Sequence, residues 1–304
     1  MFRSSTKSGW VACAPQGEQA IWACVEPGAQ GRPCVRWLAT EDWRDAGASL
    51  RRMRRSHGLH QRRTVLLLQR AQYQLRQLDA PDLPRADWAQ AARWQLKDEV
   101  DFAVDAAAVV VLEIPRETSR RAPQLLAVAA PHTQLRPLVD AAVAARAPWR
   151  ALDIAETALR NLGALVEPEG RAQALLHFQR DHGTLVITAG GELLAARDLD
   201  VGLDDLTSAD LARREPAQDR AVLERQRTLD GFERQFTQVS LARLLVSPAA
   251  ALESFCVQAR ELIFVPVAAL DLAEALDLSA LGDIDPAELA AALPAIGAAL
   301  RLEH

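Results

Sequence analysis

The chain has 304 residues, enough to bury a substantial core and to divide into two domains. Its 49% hydrophobic and 25% charged residues exclude global disorder, and a formal charge of -5 gives no general attraction to nucleic acid. No apolar run is long enough to cross a bilayer, and the start, with Arg3, Lys7 and Gly9-Trp10, lacks the apolar region of a signal peptide, so a cytoplasmic chain is expected.

The first elements read as a strand meander. Trp10 to Ala14, Ala20 to Val25 and Val35 to Leu38 are separated by turns at Pro15-Gln16-Gly17 and Gly28 to Gly31. Trp22 and Trp37 are expected to cover one face of that sheet. A helix is predicted over 41–57, with Glu41 and Asp42 at its positive end and Leu50 and Met53 on its apolar face. Arg51, Arg52, Arg54, Arg55, Arg62 and Arg63 cluster around Gly58. They are either a solvated helix end or a contact for anionic lipid headgroups or an acidic partner. Nucleic acid is disfavoured because no aromatic-interleaved platform or reading motif accompanies the charge.

Val65 to Leu68 predicts a central strand, after which Pro81 and Pro84 open a new section. Asp87 to Val100 predicts a helix with Trp88, Ala91, Ala92, Trp94 or Gln95 and Val100 on its apolar stripe. Strands follow at Val109 to Ile114 and Leu125 to Ala129, joined by an exposed loop, Pro115 to Pro123, that carries Arg116, Arg120 and Arg121. A helix over His132 to Ala147, a strand at Ala151 to Ile154 and a helix over Ala155 to Leu162 complete this part. The section reads as an inserted subdomain that offers an edge strand or a groove to another protein.

A second meander occupies 172–198. Ala174 to Phe178, Leu185 to Ile187 and Leu193 to Ala196 alternate with turns at Asp181-His182-Gly183 and Gly190-Gly191. Two such meanders predict two halves of similar architecture. A polar patch, Asp200 to Glu215, precedes an amphipathic helix from Ala217 to about Phe236. Then come a strand at Leu241 to Val246, a helix through Arg260, a strand at Ile263 to Val267 and a closing helix, Pro286 to Leu300, bent at Pro294. Leu302-Glu303-His304 resembles the start of a purification tag and is set aside.

The order Ala155-Glu156-Thr157-Ala158-Leu159-Arg160-Asn161-Leu162, then Asp181-His182-Gly183-Thr184, then Gly191 through Arg197 to Gly202, resembles the actin-like PilM/MshI family of type IV pilus biogenesis. Trp94 to Asp105, Val109 to Pro115 and Ala127 to Pro131 resemble its inserted subdomain, and Pro294-Ala295-Ile296-Gly297 through Leu300-Arg301 its closing helix. The resemblance implies a two-domain actin-like (ribonuclease H-like) α/β fold. The first domain would span 1–165 with the insertion at about 82–148, and the second 166–301, its last helix returning to the first. It further implies a scaffold at the cytoplasmic face of the inner membrane that binds the cytoplasmic tail of a bitopic assembly protein, with an assembly ATPase as a candidate contact. Trp88, Arg93, Trp94 and Val109 mark the search region for that tail.

ATP binding is known in one branch of the family, and it requires glycine-rich phosphate turns and carboxylates for magnesium. Here Pro15-Gln16-Gly17-Glu18 lacks the Asp-x-Gly pattern of the first turn, and Ser247-Pro248-Ala249-Ala250 replaces the glycine-rich adenosine turn. No cofactor is therefore expected. The alternatives are an ATP-binding protein whose nucleotide state regulates the partner, with Asp181, Gly183, Thr184 and Asp153 as contacts for ATP and magnesium, and the cytoplasmic part of a type II secretion assembly protein. His57, His60, His132, His177 and His182 lack compact metal spacing, Ser247 lacks a nucleophile-elbow context, and Cys13, Cys24, Cys34 and Cys256 lack zinc-ligand or redox-pair spacing. No catalytic residue is assigned.

Overall fold

The computed structural model describes residues 8–115, 123–262 and 265–301. β1 (Trp10–Gln16), β2 (Gln19–Glu26) and β3 (Cys34–Asp42) form the first antiparallel meander. Its first turn uses Gly17 at φ +63°, a conformation open to glycine without steric cost. α1 (Ala46–His57) starts later than the predicted residue 41. Glu41 and Asp42 stay extended because they pair with Ala20 and Gln19 in the β2–β3 ladder, and Asp45 caps the helix instead, accepting from the Ala48 amide at 2.9 Å. β4 (Arg63–Leu67) then runs parallel to β1.

β5 (Gln74–Asp79) was absent from the expected elements. Its two apolar residues, Leu75 and Leu78, have opposite parity and so face opposite sides, which removes the alternation that marks a strand. Pairing with a later strand makes it one. α2 (Trp88–Leu96) is shorter than predicted and buries Trp88, Ala92 and Leu96 at four-residue spacing, while Trp94 is 66% exposed. β6 (Ala107–Glu113) and β7 (Gln124–Pro131) join β5 in a small antiparallel sheet of order β5-β7-β6, with α2 packed on one face. The connector carrying Arg116, Arg120 and Arg121 lies outside the described residues, as do Arg3, Lys7, Ile263 and residues 302–304.

α3 (His132–Ala144) packs beside α1 rather than only on the inserted sheet. β8 (Ala151–Asp153) completes the first large sheet, of order β3-β2-β1-β4-β8, and α4 (Ala155–Leu165) follows. β9 (Ala172–Phe178), β10 (Gly183–Ala189) and β11 (Glu192–Leu199) repeat the antiparallel meander. After the short α5 (Leu203–Leu206), α6 (Leu211–Gln235) starts six residues before the predicted Ala217. Its first turns are exposed and carry no apolar period, but Asp210 caps them by accepting from the Ala212 amide at 3.0 Å. β12 (Leu241–Ser247), α7 (Glu253–Leu262), β13 (Val267–Ala269) and α8 (Pro286–Ala299) end the chain. β13 lies later than the predicted strand because its pairing with β12 runs from Leu244↔Val267 to Val246↔Ala269.

The second large sheet, β11-β10-β9-β12-β13, repeats the plan of the first: a meander, then strands parallel to the first of the three. Between the two sheets lie α4 and α8. α8 packs on β1, β2 and β4, α4 packs on β9, β10 and β11, and the two helices pack on each other. One continuous apolar core therefore runs from Trp10 and Val65 through Ala158, Leu162 and Ile296 to Leu185 and Phe255. The opposite face of the first sheet is covered by α1 and α3, where Leu50, Met53, Ala142 and Ala145 meet Val11, Cys13, Trp22 and Leu66. Trp22 stacks on Trp149 at 5.9 Å, and Trp37 lies 4.1 Å from the His57 ring.

Candidate functional site

Where β4 ends, the chain turns through Gln69 to Tyr73 before entering β5, and the end of β11 lies alongside. This convergence opens a cleft of about 900 Å³ between the inserted sheet, the start of α3 and α4, and the second sheet. Its walls include Arg70, Tyr73, Arg76, Asp101, Glu156 and Asp198. Arg70 spans the two halves, donating to Asp200 Oδ1 at 2.6 Å and lying 3.3 Å from Asp198 Oδ2. Tyr73, the only tyrosine of the chain, donates to Glu156 Oε2 at 2.7 Å.

Glu156 is 2% exposed. Burial, reinforced by the Asp198 carboxylate, pushes its carboxyl up to about 7, against the lowering effect of the Tyr73 hydrogen bond. Burial and Glu156 together push the Tyr73 phenol well above its ordinary range. The cleft thus has at its base a carboxyl only partly ionised at neutral pH, between charged walls, an arrangement that offers donors and acceptors to an extended main chain. Among the described residues no histidine, cysteine, serine or lysine lines it.

The expected nucleotide contacts are spread over sites that do not fit a magnesium triphosphate. Asp153 is buried, and its Oδ2 accepts from Arg301 Nη1 at 2.7 Å, while Oδ1 accepts from the Ile154 amide and the Thr157 hydroxyl. A metal would have to displace the arginine. Thr184 is 2% exposed within β10, paired with His177. Asp181 is exposed and bound to His182 Nδ1 at 2.7 Å. At the other expected turn, Gln16 Nε2 donates to the Ala291 carbonyl of α8 at 3.0 Å.

Gly183 is small for a packing reason. A Cβ there would lie 2.8 Å from two ring carbons of Phe178, which itself packs edge-on to Phe255 at 5.4 Å. Gly183→Ala is therefore expected to destabilise the fold by about 1–3 kcal/mol, read from guanidinium unfolding. A variant as stable as the parent would remove the packing account.

The residues marked for a partner tail lie on the far face of the inserted sheet. Trp88 is core, with its indole N–H on the Leu83 carbonyl at 3.0 Å, and Arg93 donates to the Val104 carbonyl at 2.8 Å. Trp94 is exposed under the Lys97 ammonium, 4.0 Å from the ring centre, and Val109 is half-buried against α2. None of the four lines the cleft. Sequence reasoning missed Arg70, Tyr73 and Asp198, and the one available signal was Glu156, a carboxylate in the first turn of a mostly apolar helix.

The arginine cluster separates on folding. Arg52 donates to Glu41 at 2.7 Å and Arg62 to Glu26 at 2.6 Å, whereas Arg51 and Arg55 point outward from α1. Arg54 and Arg63 are half-buried. Among the described residues no group of three or more His, Cys, Asp or Glu is placed to hold a metal ion, and no helix is long and apolar enough to cross a membrane.

No family model and no curated protein matches the chain. Among solved structures it is similar to the PilM-PilN type IV pilus biogenesis complex, at 19% identity over 97% of this chain and 99% of that one, with a TM-score of 0.73. A Bacteroides thetaiotaomicron protein with an actin-like ATPase fold matches at 10% identity over 91% and 96% of the chains, with a TM-score of 0.51. The cytoplasmic domain of EpsL, an inner-membrane component of the type II secretion system of Vibrio cholerae, matches at 15% identity over 96% and 94%, with a TM-score of 0.49. The fold is the actin-like, ribonuclease H-like α/β architecture with an additional small sheet.

Proposed function

We propose that this chain belongs to the PilM/MshI-type family and acts as a nonenzymatic scaffold of type IV pilus assembly. In this reading MshI of the MSHA pilus is the member it corresponds to, and it works at the cytoplasmic face of the inner membrane. Its partner is the cytoplasmic tail of a bitopic assembly protein. The observation that carries the proposal is the end-to-end likeness to the structure of a PilM-PilN complex, maintained at 19% identity over 97% of this chain. The domain limits proposed are 1–165 and 166–301, with the insertion, expected at about 82–148, taken to begin at β5.

The tail would lie along the cleft between the inserted sheet, the start of α3 and α4, and the end of β11, making main-chain hydrogen bonds to its polar walls. Titration of the purified protein with synthetic cytoplasmic tails of bitopic proteins from its own assembly locus tests this. Saturable binding, weakened at least ten-fold by Arg76→Glu, is expected; failure of every such tail to bind defeats the proposal. Calorimetry with ATP and magnesium is expected to show no saturable heat. Binding and turnover, both lost in Asp181→Ala, would establish the nucleotide-regulated alternative instead.

A further inference from the structure

We infer that the outer face of α1 and α3 docks on an anionic phospholipid surface, with Arg51, Arg55, Arg136 and Arg146 facing lipid phosphates and Val139 and Val143 entering the headgroup layer. The surface lies across the first sheet from α8, and the inference does not depend on what fills the cleft.

Two observations meet here. α1 carries four arginines and no acidic residue over Ala46–His57, in a chain whose net charge is negative. Folding sorts them: Arg52 turns to Glu41 at the end of β3, and Arg51 and Arg55, one helical turn apart, remain on the exposed side opposite buried Leu50 and Met53. The second observation is on α3, where Val139 is 39% and Val143 60% exposed. They lie one turn apart, the spacing of 136, 139 and 143 sets exposed Arg136 on the same stripe, and exposed Arg146 follows just past the helix end, where the backbone turns at φ +55°.

α1 and α3 share one layer through the contact of Leu50 and Met53 with Ala142 and Ala145, so their outward sides face the same way. Among the described residues the carboxylates near this side include exposed Asp140 on α3 and exposed Asp45 at the start of α1, the latter beside the Arg51 guanidinium. Charge complementarity selects an anionic occupant. Guanidinium groups pair bidentately with phosphate oxygens, and apolar side chains among them add burial that an acidic polypeptide, itself hydrated, does not offer. Two valines are too few to anchor the chain alone, and arginines without them would give binding that salt readily removes.

Co-sedimentation with phosphatidylcholine vesicles, with and without about 30% phosphatidylglycerol, tests this at physiological salt. The full chain is expected to sediment with the anionic vesicles only. Arg51→Glu/Arg55→Glu is expected to weaken binding ten-fold or more, and Val139→Asn/Val143→Asn several-fold. Arg234→Glu, the same kind of charge change on the exposed side of α6, is expected to leave it unaltered. Thermal melts confirm that each variant folds; if the α1 double variant does not, Arg136→Gln/Arg146→Gln replaces it with the same expectation. The inference is overturned by no sedimentation, by equal binding to neutral vesicles, by an equal loss in Arg234→Glu, or by binding to polyglutamate that the valine changes leave intact.

Discussion

Replacing Gly297 with valine is expected to destabilise the protein by about 3 kcal/mol or more and to lower its melting temperature by roughly 5–10 °C. The residue sits where α8 crosses α4 between the two sheets. A Cβ there would lie 2.7 Å from the Ala158 carbonyl carbon, closer still to its oxygen, and 3.1 Å from Leu162 Cγ. The obstacle is helix backbone, which cannot swing aside as a side chain can. The Gly297 carbonyl also accepts from Asn161 Nδ2 at 2.9 Å, so separating the helices to admit a side chain breaks a hydrogen bond as well. Gly231 on α6 makes the control: a Cβ added there meets nothing within 4 Å, and Gly231→Ala is expected to stabilise by about 0.5–1 kcal/mol. Calorimetric melts of the two variants check both signs, and equal effects would rule out the close crossing as the cause.

Glu156→Gln is expected to be more stable than the parent at neutral pH, by roughly 3 kcal/mol, and to lose stability between about pH 6.5 and 4.5, where Glu156 offsets that loss in the parent. Burial first, then the Asp198 charge, holds the Glu156 carboxyl at about 7, above its unfolded value. Between pH 4.5 and 7 the folded state keeps a proton that the unfolded state loses, so the stability Glu156 permits is complete at low pH and declines as pH rises through that window. His177 does the reverse. Burial, with the nearby His182, holds it down at about 4, and neither ring nitrogen has a hydrogen-bond partner among the described residues. The unfolded state then takes up the extra proton, and stability falls as pH drops from 6.5 toward 4.

Over the shared range the two slopes are similar in size and opposite in sign, each about 1.4 kcal/mol per pH unit, so they cancel in the parent. Glutamine keeps an acceptor for Tyr73 and removes one slope. Urea unfolding of parent and variant at pH 7 and pH 4.5 should therefore show the variant's advantage shrinking to near zero in acid. A constant difference between the two would show that Glu156 is ionised throughout the range.

The paired meanders were legible because their strands alternate or run apolar between glycine turns, and the ladders confirm them within one or two residues for most strands. The resemblance to an actin-like family was legible in the order of short segments. β5 was not, since Leu75 and Leu78 face opposite sides and only β7 makes the segment a strand. The first turns of α6 were hidden because an exposed, capped helix start carries no apolar period. The cleft was the least legible part. Arg70, Tyr73, Glu156 and Asp198 are brought together by two sheets and a loop, and no local pattern records a juxtaposition made at that range. Trp88 and Trp94 stand out in the sequence, but only folding separates them, Trp88 into the core and Trp94 to the surface.

The last helix completes the face of the first strands, and this sets a schedule for synthesis. Trp10, Ala12, Ala14 and Val25 leave the ribosome well before the α8 residues that cover them, such as Ile296. Until then a nascent chain presents an uncovered greasy surface, the condition that recruits trigger-type chaperones and invites aggregation. Expression as a series of C-terminal truncations should accordingly move from insoluble to soluble abruptly, near residue 299, rather than gradually with length.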